Sequence, residues 1–313
     1  MSEMTAFDLQ LNGYKGIDFN ADDLSADDLV VACDAVLADG GGQMLATVIT
    51  DRVDRMVARV SRLAELRSVD HRIAEVLTGI HLEGPFINPR TGYVGAHPVE
   101  HALPASISVA AQLVEAGQGL VRLVTLAPEC DANLQTTSWL VDHGVRVSAG
   151  HCDPSTQTLD QAIDAGLTAF THLGNGCPAQ LHRHDNILWR VLATDRLRWV
   201  MLIADGVHLP ATLIRTMIRA IGIERVIAVS DATAAGGMGP GTFSLAGRDV
   251  IVDESGAAWA ADRTHLVGST ASPNRLREVL CQGVGLSAQD AQRVMVANPA
   301  QLLGQELPRE RKQ

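Results

Sequence analysis

Eight short runs of apolar, largely β-branched residues recur along the chain, and most are followed by a longer stretch with apolar residues three or four apart. Few folds accept that rhythm. The runs are FDLQL (7–11), QMLATVI (43–49), EVLTGIHL (75–82), VRLVTLA (121–127), VRVSAG (145–150), TAFTH (168–172), WVMLIA (199–204) and RVIAVS (225–230). The segments 25–38, 52–67, 105–117, 132–143, 156–165, 186–194 and 210–221 carry the helical period, and several end at Gly or Asp-Gly, as helices commonly do. Strands alternating with helices imply a parallel sheet, and eight such units predict a (β/α)8 TIM barrel of the α/β class. A chain of 313 residues, 46% hydrophobic, can build one core of that size, so a single unit over 1–313 is expected. Only the last part departs from the pattern: 236–268 is Gly-rich and reads as a long loop with a hairpin, and 270–304 as two or three closing helices.

Charge and composition remove several classes of function. The formal charge of −11 comes from scattered acids, and no cluster of Lys and Arg interleaves with aromatics, which argues against a nucleic-acid or anionic-membrane partner. The start, MSEMTAFDLQ, has no basic-then-apolar leader pattern, and runs such as WVMLIA are too short to span a bilayer, so a cytoplasmic protein is expected. Cys33, Cys130, Cys152, Cys177 and Cys281 are odd in number and contain no CxxC pair, which disfavours a disulfide framework or a thiolate zinc site. Lysine occurs only at Lys15 and Lys312, so chemistry needing a lysine in the middle of the chain is excluded.

The stretch GIHLEGPFINP sets a lone acid, Glu83, where a buried strand ends. An acid at the edge of a core is unfavourable unless it is paired or holds a cation. In TIM barrels the active site forms at the C-terminal ends of the strands. Those ends carry Gln10 and Asn12, then Glu83, Glu129, His151, His172, the Asp205/His208 pair and Asp231. Glu83, His151 and His172, one carboxylate and two imidazoles from three strands, make an N/O ligand set suited to zinc or a neighbouring divalent ion with a position open for water. Cys152 should face away from His151 if the strand continues, which leaves it out of the ligand set. Asp231 could cap a Gly-rich turn, or take a proton from an attacking water and deliver it to a leaving group; the ligand set favours the second.

The assembled motifs resemble the N-acetylglucosamine-6-phosphate deacetylase family of the amidohydrolase superfamily. They are DLQLNGYKGIDFN (8–20), HLEGPFINP (81–89), GAHP (95–98), VTLAPE (124–129), SAGH (148–151), THLGNGCP (171–178), ADGVHLP (204–210), SDATAAGG (230–237) and LVGS (266–269), in family order. The resemblance implies Glu83, His151 and His172 as metal ligands, Asp231 as the catalytic acid and base, and His97 as a second catalytic group at the oxyanion. It implies substrate contacts at Ala96, Asn175, Gly176, Arg183, His208, Val267, Gly268 and Ser269, with Arg183 on a phosphate. Where the superfamily has a His-x-His metal pair, this chain has Gln10 and Asn12; amides bind transition metals poorly, so one metal is expected, with the two amides orienting water. The loop THLGNGCP carries Gly174 and Gly176-Cys177 where the family usually shows an aromatic residue and Ala-Met, a departure that bears on the sugar pocket. The resemblance also implies a small β-sandwich built from both chain ends in the family, which this chain is expected to lack.

The implied reaction is metal-dependent deacetylation of an amino sugar phosphate, with N-acetylglucosamine 6-phosphate as substrate, by a homodimer. Deacetylation of another sugar such as N-acetylgalactosamine 6-phosphate is the nearest alternative, and a non-catalytic sugar-phosphate sensor is the alternative from a different class. A dihydroorotase-type enzyme would need a lysine at the fourth strand, and TLAPE has none.

Overall fold

In the computed structural model, which describes residues 5–305, the eight apolar runs become eight parallel strands. Strand β1 is Ala6–Leu11, followed by a small ribbon of β2 (Gly13–Tyr14) and β3 (Ile17–Asp18). The remaining barrel strands are β4 (Gly41–Ile49), β5 (Leu77–Glu83), β6 (Val121–Leu126), β7 (Arg146–Ala149), β8 (Ala169–Phe170), β9 (Trp199–Ile203) and β10 (Val226–Val229). Sheet order follows chain order from β1 through β4 to β10. The strands are buried on both faces because one lines the barrel and the other packs under helices. Phe7, Leu9, Leu45, Leu123, Met201 and Val229 fill the inside together with Ala300, Leu302 and Leu303 from the last helix. Alternate residues such as Val48, Ile80, Leu82 and Val200 join the outer core instead.

Helix starts are set by side-chain caps. Ser25 forms a capping box with Asp28, and Ser155, Asn186 and Ser272 accept backbone N–H bonds at the starts of their helices. Each such cap is worth about 1 kcal/mol. A helix over His71–Val76, capped by Asp70, occupies what the sequence suggested was the beginning of the third strand. The Gly-rich stretch holds more order than a hairpin. It forms a three-stranded antiparallel sheet, β11 (Gly241–Leu245), β12 (Arg248–Val252) and β13 (Ala258–Ala260), whose Leu245, Val250, Val252 and Ala258 pack with Ile49 and Val267. The closing helical stretches run over 273–284 and 288–302, the first ending in a π-helical part and the second carrying one between two α-helical parts.

Between β1 and β10 the barrel closes through a few specific hydrogen bonds. Asp231 N–H donates to the Gln10 carbonyl (3.0 Å) and Asn12 N–H to the Ala232 carbonyl (2.7 Å). Below them, Asp8 Oδ1 accepts from the N–H groups of Gln10 and Ser230, both at 3.2 Å. The β1–β4 register shifts between Asp8 and Leu11, so Leu9 packs inside the barrel while Gln10 also reaches the central site. Burial pushes the Asp8 carboxyl up to about 6 despite those hydrogen bonds. A carboxyl raised on folding contributes stability that is fully present below its unfolded pKa and is lost as pH rises through the folded value. Asp8→Asn keeps an acceptor for both N–H groups and removes the charge. It is expected to flatten the decline in urea-unfolding free energy between roughly pH 4 and pH 6, by as much as about 3 kcal/mol. Parallel pH profiles for variant and wild type would refute this.

The interior is chemically lopsided. Inward residues of β9, β10 and β1 include Met201, Ile203, Val229 and Leu9, whereas β4 to β7 and the end of β8 contribute Thr47, His81, Thr125, Ser148 and Thr171, all fully buried. Thr47 Oγ1 lies 3.3 Å from His81 Nδ1, His81 Nε2 2.7 Å from Thr125 Oγ1, and Thr171 Oγ1 2.7 Å from both Thr125 Oγ1 and Ser148 Oγ. Burial pulls the His81 imidazole down to about 4, so it is neutral near pH 7.

Candidate active site

At the C-terminal mouth of the barrel, Glu83 accepts contacts from several directions. Its Oε1 is 2.8 Å from His172 Nε2, 3.3 Å from His151 Nε2 and 2.9 Å from the donating Gln10 Nε2; its Oε2 is 3.7 Å from His97 Nε2. Burial alone would raise this carboxyl, but the hydrogen bonds and charges of His151 and His172 outweigh it and hold Glu83 well below the carboxylate range. Burial also opposes charge on His172, yet the bond and charge of Glu83 leave its pKa raised. His97, buried beside His151, is pushed down to about 3.

Asp231 stands opposite. Its Oδ1 accepts from Asn12 Nδ2 (2.8 Å) and Gln10 Nε2 (3.1 Å), so the Gln10 amide bridges two carboxylates. Burial first, and the charge of Glu83 second, raise Asp231 well above the usual range. A carboxyl raised in this way is suited to gaining and losing a proton near neutral pH.

The strand ends bend sharply to bring these groups together. His151, His172 and Asp231 have φ of 51°, 33° and 51°, left-handed values that carry strain of about 1–3 kcal/mol each and cluster at functional sites. His151 is oriented from behind, its Nδ1 donating to the Tyr93 carbonyl at 2.8 Å, which leaves the Nε2 lone pair for the centre. Gly176 allows the loop after β8 to approach this ring, since a Cβ there would lie 2.9 Å from His151 Nδ1.

These donors could hold a divalent cation. The ligand atoms of Glu83, His97 and His151 lie within 4.8 Å of one another, and His172 shares Glu83 Oε1 with His151. The Gln10 and Asn12 oxygens and the Nδ1 atoms of His97 and His172 are buried without a protein partner, as expected of groups facing a ligand or water. His97, assigned from the sequence to the oxyanion, thus also stands within reach of the ligand set. Gln10 and Asn12 use their NH2 groups to hold the two carboxylates.

A cleft of about 810 Å3 opens above this centre. Asn12, Glu83, Ala96, His97, His151, His172, Asn175, Gly176, His208, Asp231 and Gly268 line it, gathering much of the expected set. Asp205 Oδ2 fixes His208 through Nδ1 at 2.6 Å. Val267 and Ser269 are buried behind the wall, Ser269 Oγ donating to the Ser230 carbonyl. Arg183 is exposed, four residues beyond the cleft-lining Ala179, and no lysine or arginine lines the cleft among the described residues. Glu129 lies elsewhere, accepting from Asn88 Nδ2 (2.7 Å) and the Asp153 N–H. Cys152 is buried in the outer core, Cys177 lines the cleft, and all five cysteines are free thiols. Sequence reasoning missed Tyr93, which acts through its main chain, and Trp259, Thr264 and His265, which the three-stranded sheet and the loop after it bring to the cleft. No spacing signal marks any of them.

No protein-family model matches the chain. It is 32% identical to an N-acetylgalactosamine-6-phosphate deacetylase of Escherichia coli O157:H7 over 85% of this chain and 69% of that one. It is also 32% identical to the N-acetylglucosamine-6-phosphate deacetylase of Bos taurus over 96% of this chain and 73% of the relative. Among solved structures, an N-acetyl-D-glucosamine-6-phosphate deacetylase from Mycobacterium smegmatis, in complex with N-acetyl-D-glucosamine-6-phosphate, superposes with a TM-score of 0.87. The identity is 30%, over 97% of this chain and 78% of that one.

Proposed function

The chain belongs to the N-acetylglucosamine-6-phosphate deacetylase family, and from that premise we propose that it hydrolyses the acetamide of N-acetylglucosamine 6-phosphate to the amine and acetate. The observation that carries this reading is the pairing of a cation-ready centre at Glu83 with a raised carboxyl, Asp231, across one cleft. Glu83, His151 and His172 would hold one divalent ion, with His97 beside them; zinc suits a carboxylate and imidazoles. Held there, such an ion would supply Lewis acidity to the acetyl carbonyl and to a water.

The rest falls to side chains of this chain. Asp231 accepts the proton of the attacking water and returns it to the departing amine, while the Gln10 and Asn12 amides keep its Oδ1 in place. His97, held neutral by burial, offers an N–H to the oxyanion. His208, with Nδ1 committed to Asp205, presents Nε2 to the sugar. A phosphorylated sugar substrate also favours a cytosolic location, and a homodimer remains our reading of the assembly.

The test is zinc loading of metal-free protein followed by acetate release from a panel of N-acetyl sugars. One bound equivalent and turnover on N-acetylglucosamine 6-phosphate are expected; no acetate from any N-acetylhexosamine 6-phosphate would overturn the assignment. The Escherichia coli O157:H7 relative favours N-acetylgalactosamine 6-phosphate as the second reading, and a higher kcat/KM on that C4 epimer would select it. Arg183 would supply the phosphate contact from the loop beyond Ala179. Arg183→Ala is expected to weaken a phosphorylated substrate roughly ten- to a hundredfold relative to its dephosphorylated analogue. Equal losses on both would make Arg183 structural.

A further inference from the structure

We infer that the buried chain Thr47–His81–Thr125–Thr171–Ser148 is a positioning frame for the metal ligands, fixing the spacing of the strands from which Glu83, His151 and His172 emerge. The inference rests on the metal-site reading above. TIM-barrel interiors are normally filled by bulky apolar side chains, and the β9–β10–β1 side here follows that rule with Met201, Ile203, Val229 and Leu9. The five residues of this chain lie on β4 through β7 and just past β8, the arc that carries the ligands, while the polar Asp8, Gln10 and Ser230 belong to the separate β1–β10 seam. His81 and Glu83 are two residues apart on the same face of β5; Ser148 lies three residues before His151, and Thr171 immediately before His172.

The chain satisfies itself in one direction. Leu11 N–H donates to Thr47 Oγ1 at 3.1 Å, so the Thr47 hydroxyl can give its proton to His81 Nδ1; His81 Nε2–H then donates to Thr125, Thr125 to Thr171 and Thr171 to Ser148. Ser148 Oγ–H ends the series on the Ala149 carbonyl at 3.5 Å. The reverse order would leave the Thr47 proton without an acceptor in this series. In that order the His81 ring donates from Nε2, and a single imidazole spans β4 to β6 beneath Glu83.

Hydrogen bonds suit this task better than apolar packing. Their distances are held within a few tenths of an ångström, whereas dispersion contacts weaken gradually over 0.5–1 Å. Metal ligands tolerate only about 0.2 Å of misplacement. A frame of hydroxyls and one imidazole thus imposes the precision the ligands require, while Met201 and its neighbours need only fill space.

Thr125→Val removes the central hydroxyl with almost no change in shape, and Thr125→Ser retains it. Zinc alone, titrated into metal-free protein, is the probe. Wild type is expected to bind one equivalent, Thr125→Val to bind about ten- to a hundredfold more weakly, the scale seen for outer partners of metal ligands, and Thr125→Ser to stay within about threefold of wild type. Met201→Ala opens a cavity in the apolar half; it should lower thermal stability at least as much as Thr125→Val and leave zinc affinity unchanged. Wild-type affinity in Thr125→Val, or an equal loss in Met201→Ala, would overturn the frame alone. A wild type that takes up no zinc would overturn the metal site, and the frame with it.

Discussion

Asp231→Asn is expected to lower turnover on N-acetylglucosamine 6-phosphate by at least about a hundredfold, the scale of losing a general acid and base. The substitution is nearly isosteric, and an amide oxygen can still accept from Gln10 Nε2 and Asn12 Nδ2, so the closing strands and the metal centre should survive. Zinc content and KM should remain within a few-fold of wild type. Measuring kcat beside the metal content of the same sample separates the outcomes. Near-normal kcat would move the proton transfer to another group, and a parallel loss of zinc would make Asp231 a ligand.

Glu83→Gln should have a comparable effect by a different route. The carboxylate faces His151, His172, His97 and the Gln10 amide in a buried site, and the neutral amide removes the charge that balances a cation there. Charge-assisted contacts of this kind contribute about 1.5–3 kcal/mol apiece, so zinc affinity should fall by a hundredfold or more. Equilibrium dialysis against zinc reads this directly, and a variant that retains a full equivalent would refute the assignment. In metal-free protein the His172 pKa should drop, because Glu83 is what raises it; an NMR titration of the ring would show the shift.

Periodicity made the barrel legible because both faces of each strand are buried, which leaves apolar runs bounded by turns. The run at 199–204 became Trp199–Ile203 and that at 121–127 became Val121–Leu126. Strand ends were less legible: TAFTH shortened to Ala169–Phe170, with the left-handed turn at His172 close behind. Residue type at the strand ends was enough to nominate Glu83, His151, His172 and Asp231, whose side chains do converge. Proximity was not, since nothing in the spacing placed His97 Nε2 at 3.7 Å from Glu83 or showed that the Arg183 loop leaves that side chain exposed. Thr47, Thr125 and Thr171 looked like ordinary β-branched strand residues. Their shared chain depends on register, which a single sequence does not display.

The barrel seam has a consequence for assembly. Gln10 and Asp231, whose side chains touch there, are 221 residues apart, a separation that places their meeting late because long loops close slowly. The strands bearing Glu83, His151 and His172 lie in the middle of the chain and can converge before β1 docks on β10. A refolding population should therefore acquire zinc affinity before it acquires activity. During that lag Asp231 would stand apart from the two amides that hold it in the folded chain, and stopped-flow refolding that recovers zinc uptake and turnover together would refute this order.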